Sequence, residues 1–252
     1  MCLLLLALHV VPGKPWLLLA NRDEFHVRAS APAAFWADKP GVFGGRDLVA
    51  GGSWLALHRN GRFAAVTNVR TGRQTAAPRS RGALVAAFVD AAIAADRYAA
   101  DVAAQREQYG PFNLVIGDRE QALFVSSIDG VPRRLHDGVH AFSNGSREDE
   151  WPKMRRLREG FSALLASRTP ADSALLDLLK DAHQPDATQL PDTGVGPVLE
   201  RLLAPIFIVG DAYGTRASSL AYARADNSLV LIERRFGPNA VLAGETRIDT
   251  AG

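Results

Sequence analysis

MCLLLLALHVVPGKPWLLLANRDE, residues 1–24, is the stretch that decides the fold. It contains two apolar runs on either side of a short PGKP segment at residues 12–15. Two apolar runs joined by a Pro/Gly turn are typical of a β-hairpin. A hairpin returns the end of its second strand to the start of its first. The pattern therefore predicts that Cys2 lies beside the polar NRDE segment at residues 21–24.

Cys2 is the only cysteine in the sequence, and it stands one residue from the start. Removal of Met1 would leave a thiol and a free α-amine on one residue, and an α-amine has a pKa of about 7.7–8.0, suited to a general base. The position therefore favours an N-terminal nucleophile over the alternative, a small buried hydrophobic residue at a strand start. Arg22 nearby would lower the thiol pKa. For residues 21–24 the alternative is a charged turn that closes the hairpin.

Several sequence blocks resemble a known family. Cys2 followed by Asn21-Arg22-Asp23-Glu24 is similar to the signature of the NRDE-motif family, also called the Transport and Golgi organisation family. The resemblance covers nearly the whole chain through further blocks in order: GGSWL at 51–55, NGRFAAVTN at 60–68, FNLVIGD at 112–118, SN at 143–144, WPK at 151–153, YGTR at 213–216 and SS at 218–219. The family in turn resembles the cysteine branch of the N-terminal-nucleophile hydrolases, the penicillin V acylase and bile salt hydrolase group. The resemblance also implies a link to haem trafficking.

Hairpins and two helical regions predict an α+β fold. Turn sequences at residues 60–61, 117–120 and 137–138 separate strand-like runs, which predicts three further hairpins. Helical spacing of apolar residues predicts helices within residues 80–106, with Ser80 as N-cap, and within residues 151–181. Helices over largely antiparallel sheets permit a four-layer αββα sandwich, and the family resemblance selects that architecture.

The remaining segments are expected to form loops and a third group of strands. Residues 25–46 and 184–196 carry Gly and Pro without a steady period, which predicts loops. Strands are expected at residues 205–210, 217–225 and 229–235. Without an internal repeat or a linker, the chain is expected to form a single domain over its whole length.

Composition and charge exclude several functional classes. Twenty-nine basic and 27 acidic residues leave a net charge of +2, too small to indicate a nucleic-acid-binding surface. The first apolar run lacks a basic flank and a cleavage site, and it falls short of the roughly 20 residues that span a bilayer. We therefore expect a buried strand, no transmembrane segment and a cytoplasmic protein. The histidines show no metal-ligand spacing, so neither a zinc site nor a cofactor is expected.

The resemblance adds further candidate site residues. Asn144 and Asn68 follow apolar strands and are candidates for the oxyanion hole, with Asn144 the better match to the hydrolases. For each, the alternative is an asparagine that bonds its own turn. Arg216 resembles the late arginine of the acylases, and its alternative is a surface turn residue. Trp54, Asn21 and Asn68 are expected to contact substrate.

Taken together, these residues predict hydrolysis of a linear carbon–nitrogen amide bond in a small molecule. Cys2 would attack the carbonyl carbon while its α-amine moves the proton. By analogy with the hydrolases, Asp23 would hold and orient the resulting ammonium group. The alternative is a binding or trafficking protein for haem or a hydrophobic acyl ligand, in which Cys2 acts without turnover and His26 or His58 assists. Only the basic face of the helix after Trp151 would support a partner-binding scaffold.

Overall fold

The computed structural model describes residues 2–72, 76–166 and 170–251. Its strands are β1 (Cys2–Val11), β2 (Lys14–Phe25), β3 (Ser30–Phe35), β4 (Val42–Asp47), β5 (Leu55–His58), β6 (Phe63–Asn68), β7 (Phe112–Gly117), β8 (Ala122–Ser126), β9 (Arg133–Leu135), β10 (Gly138–Phe142), β11 (Tyr213–Ala223), β12 (Leu229–Phe236) and β13 (Leu242–Asp249). Its α-helices are α1 (Arg81–Asp90), α2 (Ala95–Ala104), α3 (Pro152–Ala166), α4 (Asp172–Leu178) and α5 (Pro197–Leu202).

Within the described residues the strands form two antiparallel sheets. The first has six strands in the order β10-β1-β2-β11-β12-β13, and the second has seven in the order β3-β4-β5-β6-β7-β8-β9. In the N-terminal hairpin, Cys2 of β1 lies opposite Arg22 of β2. β10 pairs with the other edge of β1, and β11 pairs with the other edge of β2. The hairpin predicted from residues 1–24 is therefore central in its sheet.

Apolar cores separate four layers. Even-numbered side chains of β1, such as Leu4 and Leu6, pack between the sheets. Odd-numbered ones, such as Leu3 and Leu5, pack beneath α3 and α4. Another core joins the second sheet to α1 and α2. Because both faces of β1 are covered, its continuous apolar run is what a central strand requires. This arrangement is the predicted αββα sandwich.

Several local predictions are confirmed. β5 pairs with β6 and β7 with β8, as the turns at residues 60–61 and 117–120 predict. The Ser80 hydroxyl accepts a hydrogen bond from the backbone N–H of Gly82 at 3.2 Å and caps α1. Within residues 151–181, the helix predicted over residues 151–167 is α3, and Ser167 lies outside the described residues.

Three other predictions are wrong. Residues 25–46 contain β3 and β4 rather than a continuous loop; Pro32 in β3 and the glycines of β4 hid the pattern, and β3 lies at a sheet edge, where proline is tolerated. The turn at residues 137–138 does not close a hairpin, because β9 belongs to the second sheet and β10 to the first. The apolar run at residues 205–210 is irregular and buried only over residues 205–208. Ile208 N–H donates to the side-chain hydroxyl of Thr215 in β11 at 2.9 Å rather than to a backbone carbonyl, so no strand forms.

Two elements had no clear signal in the sequence. α5 is a helix of six residues that follows Gly196. β13 is an edge strand whose side chains are almost all exposed or half-exposed, so it lacks the apolar face that marks most strands. None of the helices in the described ranges is long and apolar enough to span a membrane.

Candidate active site

Cys2 meets residues 21–24 because β1 and β2 pair in register. Side chains alternate along a strand, so Cys2 and its partner Arg22 project between the sheets, whereas Asn21 and Asp23 project toward the helices. The guanidinium of Arg22 accordingly lies over the Trp54 ring, 4.2 Å from its centroid. Arg22 is therefore the charged neighbour on the sulfur side of the strand pair. Met1 lies outside the described residues.

A cavity of about 150 Å³ opens beside Cys2. Arg22, Asp23, Trp54 and Asn68 line this cysteine cavity together with Cys2, whose side chain is half-buried. A wider groove of about 600 Å³ continues from it. Cys2 thus adjoins space for a small molecule.

Burial dominates the acid–base behaviour of the thiol. Desolvation raises the pKa of Cys2, and the negative charge of Asp23 adds to the rise. The charge of Arg22, and a hydrogen bond from the Asp23 backbone N–H, lower this pKa by less than burial raises it. The expected effect of Arg22 therefore has the right direction, but burial outweighs it. The thiol needs a base before it can act as a nucleophile at neutral pH.

Asp23 is a buried carboxylate with 1% exposure. Its Oδ1 accepts a hydrogen bond from the Thr215 hydroxyl at 2.7 Å. Burial raises the pKa of Asp23, whereas the charge of Lys153 and the bond from Thr215 lower it. A buried carboxylate is tolerated when cations and donors of this kind surround it.

Lys153 is the main charged residue of the site that sequence reasoning missed. It belongs to α3, yet its side chain is only 3% exposed. Its Nζ donates to the Leu203 carbonyl at 3.2 Å. Burial lowers the pKa of Lys153 to about 8, and the charge of Asp23 opposes that change. Only its place in the WPK block at residues 151–153 set it apart from the other lysines.

Asn68 and Asn144 form one hydrogen-bonded pair. Asn144 Nδ2 donates to the Asn68 carbonyl at 2.9 Å and to Asn68 Oδ1 at 3.1 Å. Of the two, Asn68 lines the cysteine cavity. Because the amide group of Asn144 is engaged and holds the side-chain oxygen of Asn68, the Asn68 amide nitrogen is the donor placed at the cavity. Asn68 therefore borders the cavity and Asn144 holds it in place, whereas the sequence ranked Asn144 above Asn68.

Asn21 does not face the cavity, so the structure does not support its expected role in substrate binding. Its side chain is 0% exposed, and its Nδ2 donates to the carbonyls of Leu179 at 2.8 Å and Ile206 at 2.7 Å. Its Oδ1 accepts from the Ser218 hydroxyl at 2.7 Å. Asn21 therefore holds two irregular segments on the sheet.

Arg216 lines a second cavity, of about 280 Å³, rather than the cysteine cavity. It is the extra residue of a β-bulge in β11, where the pairing passes from Thr215 opposite Asp23 to Ala217 opposite Arg22. The second cavity is also lined by Arg22 and Trp54. Trp54 thus borders both cavities.

The histidines are separate from Cys2. His26 lines the second cavity, whereas His58 packs against Gly41 and accepts the Asn60 N–H at 3.1 Å. Among the residues that the structure describes, no group of three or more His, Cys, Asp and Glu side chains is arranged to hold a metal ion.

Comparison with known proteins now identifies the family. The family model described as Transport and Golgi organisation 2 matches residues 1–238. This chain belongs to that family. The Transport and Golgi organization protein 2 homolog of Bos taurus is 30% identical over 236 residues, covering 86% of this chain and 85% of that protein. The human homolog is 28% identical over 248 residues, covering 92% of this chain and 90% of that protein. The Drosophila melanogaster protein is 31% identical over 249 residues, covering 88% of this chain and 87% of that protein.

Two solved structures share the architecture of this Transport and Golgi organisation 2 family member. A Caenorhabditis elegans N-acylethanolamine-hydrolyzing acid amidase ortholog aligns with a TM-score of 0.52 and 8% identity, covering 87% of this chain and 92% of that one. A mutant conjugated bile acid hydrolase from Clostridium perfringens aligns with a TM-score of 0.54 and 10% identity, covering 99% and 92%. At these identities the likeness shows the fold alone, and it confirms the predicted N-terminal-nucleophile hydrolase architecture.

Proposed function

We propose that this protein is an N-terminal cysteine hydrolase that cleaves a linear carbon–nitrogen amide bond in a small molecule. The observation that carries the proposal is the position of the Cys2 sulfur. It borders a cavity, with Arg22 opposite it in the register and the Asn68 amide in the same lining. A thiol at a cavity with a guanidinium that favours the thiolate and an amide donor for the developing negative charge is suited to acyl transfer to sulfur.

The reaction starts with removal of Met1, which frees the α-amine of Cys2. That amine takes the thiol proton as the sulfur attacks the amide carbonyl carbon, and Asn68 Nδ2 stabilises the negative charge on the carbonyl oxygen. The ammonium then returns the proton to the amide nitrogen. The carbon–nitrogen bond breaks, the amine leaves, and the acyl group stays on sulfur as a thioester. Water attacks the thioester with the same amine as base, which releases the carboxylic acid and restores the thiol.

Arg22 and Asp23 would have different roles, because they lie on opposite faces of β2. Arg22 lies on the sulfur side and favours the thiolate. Asp23, on the opposite face, would hold the ammonium form of the α-amine, and the nearby Lys153 lowers the pKa of this carboxylate and so favours its charged state. We assign Asn144 a positioning role, because its bonds fix the orientation of Asn68.

The test begins with the intact mass of the purified full-length protein, which is expected to lack Met1. Amine release from a panel of N-acyl compounds is then measured for the wild type, Cys2→Ala and Cys2→Ser. Cys2→Ala is expected to lose turnover, and Asn60→Ala, at the exposed β5–β6 turn, is the matched control that keeps it. Retention of Met1 would contradict the mechanism, because the base would then be absent.

The wide groove supports a second candidate, carriage of a hydrophobic ligand such as haem or an acyl lipid. Its volume of about 600 Å³ is lined largely by apolar side chains, including Leu199, Leu202 and Leu203 near α5. Pockets of this size and apolarity suit compact hydrophobic ligands. Haem titration followed by absorbance tests this candidate: a Soret shift that disappears in Cys2→Ala favours carriage with Cys2 as ligand, and the absence of any shift refutes it for haem.

Two broader expectations complete the proposal. We expect residues 1–252 to behave as one domain, which limited proteolysis would test through the absence of a stable intermediate fragment. We also expect a cytoplasmic protein, since a single cysteine excludes an internal disulfide. Cell fractionation tests the location, and recovery in a secreted fraction would contradict it.

A further inference from the structure

The second cavity, beyond the Arg22–Trp54 pair, carries a surplus of positive charge. Three arginines line it, Arg22, Arg216 and Arg235, against one carboxylate, Glu233. Outside this lining, Asp47 Oδ2 lies 3.6 Å from NH2 of Arg22 and offsets part of its charge. Arg22 and Trp54 also line the cysteine cavity. A molecule whose reacting bond lies at Cys2 can therefore extend into this basic cavity.

Arg216 is positioned by backbone groups rather than by a carboxylate. Its NH1 donates to the carbonyl of Arg28 and, at 3.4 Å, to that of Phe25. Its buried Nε has no acceptor within the described part of the chain. Burial, followed by the charge of Arg22, lowers the pKa of Arg216, so two like charges act on each other here. A guanidinium that lines a cavity and is held by carbonyl groups, rather than by a carboxylate, is suited to an anion.

Glu233 supplies one negative charge against the three guanidinium groups of the lining. Its Oε1 accepts the Ala33 N–H at 2.8 Å and lies 3.7 Å from NH1 of Arg235. Arg235 NH1 donates instead to the Thr246 hydroxyl at 2.7 Å. Burial raises the pKa of Glu233, and the charges of Arg235 and Arg22 oppose that rise. The lining therefore offers guanidinium groups that an anionic ligand could neutralise.

We propose that the basic cavity binds a carboxylate or phosphate group on the amine side of the amide that Cys2 attacks. This inference rests on the proposed hydrolysis for the position of the reacting bond, and it adds a substrate class, an N-acyl amine that carries an acidic group. The wide groove of about 600 Å³ shares Glu24, Asn68 and Arg81 with the cysteine cavity. The basic cavity shares Arg22 and Trp54 with the cysteine cavity. An apolar acyl chain fits the groove, which leaves the basic cavity for the amine.

Equilibrium binding to the Cys2→Ala protein tests the site without requiring turnover. The probes are N-octanoylethanolamine, its O-phosphate ester and N-octanoylglycine, measured by calorimetry at one low ionic strength. At least one anionic probe is expected to bind about tenfold or more tightly than the neutral one, as charge-assisted hydrogen bonds would produce. The anionic probe whose affinity exceeds that of the neutral probe by the larger factor identifies phosphate or carboxylate as the preferred group.

Arg216→Gln and Arg235→Gln, each in the Cys2→Ala background, are expected to remove most of this preference. Arg97→Gln, which changes the same charge at a side chain 73% exposed on α2, is expected to keep it. Thermal unfolding of each variant checks that it folds, and Arg235→Gln provides the test if Arg216→Gln does not. Equal affinity for all probes, no binding by any, or a preference that survives both substitutions overturns the proposal.

Amine release by the wild type, measured with the same probes, separates the two proposals. Preferential anion binding that depends on Arg216 or Arg235, without release of amine, refutes amide hydrolysis of these compounds and supports the anion site alone. Release of amine from neutral and anionic probes with equal efficiency supports hydrolysis and overturns the anion site.

Discussion

Replacing Lys153 with methionine should change how the stability of the protein depends on pH. Burial lowers the pKa of Lys153 from its ordinary 10.5 to about 8 in the folded protein. Between these values the unfolded chain holds a proton that the folded protein has released, so the free energy of unfolding rises with pH by about 1.4 kcal/mol per pH unit. Below pH 8 the buried ammonium therefore destabilises the fold by about 3 kcal/mol, and this penalty disappears as the pH rises toward 10.5.

The assay is urea unfolding of the wild type and Lys153→Met at several values between pH 7 and 10.5. The difference in unfolding free energy, wild type minus variant, is expected to be constant below pH 8 and then to rise by about 3 kcal/mol, because other titrating groups cancel in the difference. Lys180→Met, at a side chain 46% exposed, controls for the change in net charge. Parallel curves for the wild type and Lys153→Met would refute the reasoning.

Three further predictions concern side chains in and near the site. Asn21→Ala breaks three buried hydrogen bonds, so it is expected to lower the free energy of unfolding in urea by about 3 kcal/mol. The exposed Asn60→Ala is expected to lower it by only about 0.5 kcal/mol. Equal losses would contradict the structural role of Asn21. Alkylation of Cys2 by iodoacetamide at pH 8 is expected to be slower than alkylation of glutathione, because burial raises the pKa of the Cys2 thiol. It is expected to be slower still in Arg22→Gln, because the charge of Arg22 lowers that pKa. Faster alkylation in Arg22→Gln would count against this account. Gly52→Ala places a Cβ 2.3 Å from the Gly82 carbonyl carbon, so it is expected to lower the free energy of unfolding by about 3 kcal/mol. Gly51→Ala has open space around its Cβ but a φ of +75°, and it is expected to lower the free energy of unfolding by about 1 kcal/mol. A lower melting temperature for Gly51→Ala than for Gly52→Ala would refute the packing argument.

Local chemistry made the N-terminal hairpin predictable. The apolar runs on either side of residues 12–15 are interrupted by a turn sequence, and the pairing of Cys2 with Arg22 follows from the register of the strands they form. Ser80 as N-cap and the turn at residues 60–61 were predictable for the same reason, since each depends on residues close in sequence.

The layer of the fold to which a residue belongs depends on contacts between distant segments. The turn at residues 137–138 looks like a hairpin because its flanks are strand-like, and only the tertiary structure assigns those flanks to different sheets. In the same way, β13 pairs with β12 at the edge of the first sheet but has no buried side chains. Its sequence therefore has no apolar face that would predict a strand.

The sequence by itself determined that a lone thiol stands at the head of a central strand beside an arginine and an aspartate. Tertiary structure decided that Asn68 rather than Asn144 reaches the cavity, that Lys153 is buried near Asp23, and that Arg216 belongs to a second, basic cavity. The physical reason is range: strand register follows from neighbouring residues, whereas the burial of a charge and the lining of a cavity depend on segments that only the packed layers bring together.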